Sequence, residues 1–161
     1  MAQVQTVLGP VGAARLGRTL MHEHVFVLTS DVQRNYPEEW GDEDARVADA
    51  VRRLAELPRH GIGTLVDVTV IGQGCDIARI KRIAGQVPEL NIVVATGCYT
   101  FDDVPLFFSR RPASTMTDFF VRDLTEGRTW WPSCAAAAWP TGGPDRRDAG
   151  AQPGAHPRLG L

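Results

Sequence analysis

The chain lacks the features that mark membrane proteins, nucleic-acid-binding proteins and disulfide-bonded proteins. Its 17 basic and 19 acidic residues are interleaved and give a formal net charge of −2, so we expect no nucleic-acid partner. No apolar run is long enough to cross a bilayer, and the first residues lack the pattern of a signal peptide, so we expect no membrane partner. Three cysteines without a CxxC spacing favour a reduced, cytoplasmic location.

The last part of the chain lacks the residues that build a core. Residues 128–161 contain no valine, isoleucine, phenylalanine, lysine or glutamate, although they hold three of the four tryptophans. Alanine, glycine, proline and arginine dominate this segment, and such a composition forms cores poorly. We therefore predict two parts, a folded region over residues 1–127 and a disordered tail over residues 128–161.

Within residues 1–127, apolar runs alternate with amphipathic segments. Predicted strands span residues 19–28, 64–71 and 91–96, and predicted helices span residues 44–57, 77–87 and 115–126. Strands that alternate with helices favour parallel pairing and an α/β fold. Because the predicted strands have no continuous polar face, we expect helices or other elements to cover both faces of the sheet.

Two histidines interrupt the first predicted strand. His22 and His24 are two residues apart, and side chains at this spacing in a strand point the same way. Neutral imidazoles suit zinc, cobalt, iron and manganese, so the pair is a candidate metal site at a strand end. The alternative is two histidines that lie close together by chance. Glu23 should point to the opposite side, where an ion pair is favoured over a catalytic role.

Further polar residues near strand ends have ordinary structural explanations. We expect Asp67 to be buried and partnered, and Asp76 to cap the second helix. Asp102 and Asp103 lie in a predicted loop, residues 99–114, that could approach a substrate. Tyr99 could either donate a hydrogen bond into a site or pack beneath this loop.

The remaining candidates carry no functional argument. Cys75 and Cys98 follow strands and are expected to be small buried hydrophobes, since no adjacent base would activate either thiol. His60 lies near a predicted helix C-terminus, where the helix dipole favours it.

Residues 17–25, GRTLMHEHV, resemble the signature of the phosphotriesterase family. The resemblance continues through VDVTVIGQGCDI and NIVVATGCYTFDDVPLFF to FFVRDLTEG, and so covers about residues 6–127. It implies the N-terminal part of a TIM (β/α)8 barrel of the amidohydrolase superfamily, with about three to four βα units. It also implies a hydrolase with two divalent metal ions, zinc above all, of which His22 and His24 bind the more buried one. A metal-activated hydroxide would attack the substrate.

The Gly-x-Tyr sequence after the third strand resembles the lactonase branch of this family. There the tyrosine, here Tyr99, faces the substrate. The resemblance therefore favours a small-molecule lactone or other ester, with phosphotriesters as a side activity, and it leaves a homodimer open for an intact parent protein.

The sequence departs from the family after Gly127. The family's bridging lysine on the fourth strand, its two later histidines and its last aspartate have no counterpart, because Lys81 falls in the second helix and His156 resembles none of them. We expect that the tail is read out of frame, and that three or four units cannot close an eight-stranded barrel. The alternatives to a hydrolase are a non-catalytic fragment and a half-barrel interaction module.

Overall fold

The computed structural model describes residues 2–100 and 104–125. Its first element is an antiparallel hairpin of β1 (Gln3–Thr6) and β2 (Gly9–Gly12), which the sequence analysis did not predict. The Thr6 hydroxyl donates a 2.6 Å hydrogen bond to the carbonyl of Gly9 and closes the turn. Between the two strands, Val7 is 1% exposed, and its N–H donates to the carbonyl of Ile92. The hairpin is therefore anchored to the main sheet.

The main sheet consists of β3 (Arg18–Glu23), β4 (Ile62–Asp67) and β5 (Asn91–Val94), in that spatial order. Both pairings are parallel, which confirms the predicted α/β fold. Each strand ends before its predicted last residue. Beyond β4, pairing continues only as scattered contacts, such as the bridge between Ile71 and Cys98. The predicted strand ends were therefore wrong, since apolar residues run on past the last paired one.

Helices occupy the connections between the strands. They are α1 (Ser30–Asn35), α2 (Pro37–Trp40), α3 (Glu43–Leu54), α4 (Glu56–Arg59), α5 (Ile77–Ala84), α6 (Leu106–Ser109) and α7 (Ala113–Thr125), with a 3-10 turn at Ala13–Arg15. The predicted helix 44–57 is divided into α3 and α4, and α6 lies inside the predicted loop. The Asp76 carboxylate accepts a 3.0 Å hydrogen bond from the N–H of Arg79, which confirms the predicted cap.

The core lies between the sheet and the two longer connecting helices, α3 and α5. Ile83 and Ala84 of α5 are fully buried, and Val47 of α3 is 2% exposed. The whole cluster contains Val7, Val47, Ala50, Leu54, Leu65, Ile80, Ile83, Ala84, Val87, Leu90 and Ile92. The expectation that both sheet faces are covered is wrong at the end of β3, where Met21, His22 and Glu23 are exposed. There, the described residues place no second layer over the strand.

An ion pair joins α3 to α5 beside this core. The Arg79 side chain is 6% exposed, and its Nε and one terminal nitrogen donate to the two carboxylate oxygens of Glu43 at 2.6 and 3.2 Å. The guanidinium also lies over the rings of Trp40 and Phe26, at 5.0 and 5.7 Å from their centroids. Arg79 thereby fastens the segment that follows β3 to both helices.

Several expectations concern residues outside the described ranges. They are the loop carboxylates Asp102 and Asp103, His156, residue 126 of the last predicted helix and the tail from residue 128. Where the structure describes the chain, no helix is both long and apolar enough to cross a membrane. The cytoplasmic location and the boundary at residue 127 stay predictions.

Candidate metal centre

The two candidate metal ligands lie at the carboxyl end of β3. His22 is the last but one residue of the strand, and His24 is the first residue after it. Their ring centroids are 5.7 Å apart, and the ring planes meet at 79°. With zinc–nitrogen distances of about 2.1 Å, two imidazoles in a tetrahedral site have centroids roughly 5 to 6 Å apart. The separation of the two rings is therefore within the range of a shared divalent metal, and both residues are exposed.

A buried threonine that follows the neighbouring strand contacts one of these histidines. The hydroxyl of Thr69, two residues past the end of β4, lies 2.9 Å from Nδ1 of His24. Thr69 is 5% exposed, and its hydroxyl also donates a longer, 3.4 Å hydrogen bond to the carbonyl of Phe26. Sequence reasoning missed Thr69. The available signal was a polar residue directly after the strand that pairs with β3.

Two carboxylates lie at the same end of the sheet. Asp67 is 2% exposed and accepts a 2.9 Å hydrogen bond from the N–H of Thr69, as expected for a buried, partnered residue. It is aligned with Glu23 of β3 in the strand register. Glu23 is exposed, and with the residues that the structure describes it forms no ion pair, so the predicted ion pair is absent there.

Tyr99 belongs to the loop that follows β5. Its N–H donates to the carbonyl of Ile71 at 2.8 Å, and its side chain is 43% exposed. The backbones of Tyr99 and Gly72 lie close together. Gly72 has φ +96°, and a Cβ added there would lie 2.5 Å from the carbonyl oxygen of Tyr99. Only glycine suits this position. The backbone of Tyr99 is thus held against the loop that follows β4, and a role toward substrate stays a prediction.

Cys75, Cys98, His60 and Lys81 do not contribute to the histidine pair in the described part of the chain. Cys75 and Cys98 are half-buried rather than buried, so the expectation of small core residues was wrong. His60 is the C-cap of α4, in line with its predicted place at a helix C-terminus, and Lys81 lies in α5.

The described residues bring no third ligand to the histidine pair. Across residues 2–100 and 104–125, no group of three or more histidine, cysteine, aspartate or glutamate side chains could hold a metal ion. Stable structural zinc sites have four ligands, and catalytic sites have three protein ligands plus water. The described part of the chain therefore brings two candidate ligands together, fewer than either kind of zinc site requires.

Known proteins are similar to most of this chain in sequence and, for one solved structure, in fold. A solved structure, the phosphotriesterase from Mycobacterium tuberculosis, matches 78% of this chain with a TM-score of 0.74 and 53% sequence identity. The phosphotriesterase homology protein of the same organism is 52% identical over 134 residues. An aryldialkylphosphatase of Saccharolobus solfataricus is 33% identical over 112 residues. The N-acetyltaurine hydrolase of Rattus norvegicus is 25% identical over 151 residues.

These relatives are considerably longer than the part they share with this chain. The match covers 41% of the M. tuberculosis protein and of its solved structure, and 35% of the S. solfataricus protein. The phosphotriesterase family model matches residues 2–129. Members of this family are hydrolases and are typically metal-dependent. The chain therefore belongs to the phosphotriesterase family.

Proposed function

We propose that this chain carries the first metal-binding segment of a hydrolase that cleaves ester bonds, with lactones as the favoured substrates and phosphotriesters as a second class. The observation that carries the proposal is the pair His22 and His24, whose rings lie 5.7 Å apart at the carboxyl end of a parallel strand. Enzymes built on α/β barrels place their sites at this end of the strands.

The residues of this chain would each have a limited task. His22 and His24 would hold a divalent metal through their ring nitrogens, and Thr69 would orient His24 through its hydroxyl. Tyr99, which is 43% exposed, would donate a hydrogen bond from its phenol to the substrate. Divalent metal ions of such sites lower the pKa of water and polarise the electrophilic oxygen of the substrate.

We expect the chain by itself to bind metal weakly and to turn over substrate below the limit of detection. Two imidazoles provide fewer ligands than a catalytic zinc site requires. A non-catalytic fragment is therefore one alternative. A half-barrel interaction module is another, favoured by exposed apolar side chains at Met21 (69%), Val27 (58%) and Leu106 (71%).

Metal titration tests the ligand assignment. Cobalt(II) is added to the purified full chain, and binding is followed by calorimetry and by the visible absorption of cobalt. We expect His22→Ala and His24→Ala each to weaken binding at least about tenfold, because a ligand is lost. His60→Ala is the matched control, since His60 is also exposed but lies at the end of α4. Equal binding by all three variants would contradict the assignment.

A chimera tests the substrate class. Residues 2–127 of this chain replace the corresponding part of the M. tuberculosis relative, and the product is assayed with a lactone, an aryl dialkyl phosphate and an N-acyl amide. We expect metal-dependent turnover with the lactone preferred, and a loss of lactone turnover in Tyr99→Phe. A chimera that folds and binds metal but cleaves only the amide would contradict the proposed ester specificity.

A further inference from the structure

We propose that Thr69 is a positioning residue that holds His24 in the tautomer protonated at Nδ1. The other ring nitrogen, Nε2, then keeps its lone pair for a ligand. The inference rests on the proposed function in one respect, namely that His24 binds a metal. The tautomer itself is a property of the chain without metal, and can be measured separately.

The direction of the hydrogen bonds carries the inference. The Thr69 hydroxyl has one proton and two contacts, one of 2.9 Å to Nδ1 of His24 and a longer one of 3.4 Å to the carbonyl of Phe26, which can only accept. Both contacts are hydrogen bonds only if the hydroxyl donates to the carbonyl and accepts from His24, which places a proton on Nδ1. A histidine ring protonated at one nitrogen offers the other as its acceptor or metal ligand.

Thr69 can fix the orientation of the His24 ring because its own position is fixed by burial and by a hydrogen bond. Its N–H donates to the Asp67 carboxylate at 2.9 Å, and both residues are at most 5% exposed. A β-branched side chain also has few rotamers open to it. The exposed His24 ring is therefore fixed by a rigid, buried partner, and less side-chain entropy is lost when its other nitrogen binds a ligand.

His22 provides an internal comparison. It is exposed, and among the described residues its ring has no hydrogen-bond partner comparable to Thr69. The two imidazoles at one strand end should therefore differ, with His24 in a single tautomer and His22 in a mixture of both.

The tautomers are measured in the full chain without metal. The histidines are labelled with 15N, and long-range proton–nitrogen correlations are recorded at about pH 8.5, where imidazoles are neutral. We expect the Nδ1-protonated pattern for His24 in the wild type and in Thr69→Ser, which keeps the hydroxyl. In Thr69→Val, which has nearly the same shape but no hydroxyl, we expect the pattern of a mixture.

Two results would overturn the inference. One is a wild-type His24 protonated at Nε2, which would make the Thr69 hydroxyl the donor. The other is a Thr69→Val variant, shown by circular dichroism to be folded, with the same tautomer as the wild type. If Thr69→Val does not fold, the wild-type tautomer of His24 still tests the inference, because protonation at Nε2 would overturn it.

Cobalt affinity gives the second readout. Loss of a hydrogen bond that orients a ligand typically weakens metal binding 10- to 100-fold, so we expect about tenfold weaker binding in Thr69→Val and near wild-type binding in Thr69→Ser. Failure of the wild type to bind cobalt would contradict the proposed function, whereas the metal-free tautomer of His24 would still test the inference. Equal affinity in a folded Thr69→Val would overturn the positioning role.

Discussion

The face of the sheet covered by α3 and α5 is well packed, whereas the side chains at the carboxyl end of β3 are exposed and have few partners. In the covered face, Ile83 is fully buried and Arg79 has its ion pair and two aromatic neighbours. At the carboxyl end, His22 and His24 are exposed and no third ligand lies near them among the described residues. The core packs between neighbouring elements, because helices follow the strands along the chain. A complete zinc site would need more ligands than the two histidines at the end of β3.

The largest expected effect is in the covered face. Ile83→Ala removes a side chain that is 0% exposed, so we expect the free energy of unfolding to fall by about 2 to 5 kcal/mol. Urea denaturation followed by circular dichroism measures it. Val121→Ala in α7, where the side chain is 50% exposed, should change stability by less than about 0.5 kcal/mol. Similar effects of the two substitutions would mean that the described core does not form.

The ion pair between α3 and α5 should give the next largest effect. Glu43→Gln takes from the Arg79 guanidinium, 6% exposed, its 2.6 Å carboxylate partner and leaves it the longer, 3.5 Å pair with Asp76. Because the Glu43 side chain is itself 39% exposed, we expect a loss of about 1 to 3 kcal/mol rather than the full cost of breaking a buried pair. Glu56→Gln is the control, since its pair with Arg59 is exposed on both sides. A smaller loss for Glu43→Gln than for Glu56→Gln would refute this role.

The same ion pair predicts a dependence of stability on pH. Burial raises the pKa of Glu43, but hydrogen bonds from Arg79 and Trp40 and the charges of Arg79 and Arg82 lower it by more, to below its ordinary 4.5. A pKa lowered by folding means that Glu43 stabilises the fold above pH 4.5 and that this contribution is lost as the pH falls through its folded pKa. The stability difference between wild type and Glu43→Gln should therefore shrink below that pH. A difference that grows on acidification would have the wrong sign.

The smallest effect on stability is expected at the carboxyl end. His22→Ala should change the free energy of unfolding by less than about 0.5 kcal/mol, because the side chain is exposed. The same substitution should lower cobalt affinity, which separates the metal centre from the core. A loss of stability near that of Ile83→Ala would show that His22 is part of the packing instead.

Much of this fold could be predicted from the sequence where the pattern is long enough. The helical spacing in α3 and α5 and the cap at Asp76 were visible, and the parallel order followed from the alternation of strands and helices. The hairpin of β1 and β2 was missed because its four-residue strands are too short to show a period. The end of β3 was placed too late because apolar residues continue beyond the last paired one.

The sequence indicated the two histidines of the candidate metal centre but not the threonine that contacts one of them. His22 and His24 stand two residues apart, so local spacing identified them. Thr69 is 45 residues away from His24 and reaches it only through the pairing of β3 with β4. Contacts that depend on strand register have no short-range signal, and this one was missed for that reason.

The rate of lactone hydrolysis by the purified full chain, with zinc or cobalt added, tests most directly whether the metal centre is incomplete. We predict no turnover above that of His22→Ala, because the two histidines supply too few ligands. Robust metal-dependent turnover that His22→Ala abolishes would contradict this account, and would show that the chain assembles a working centre by itself.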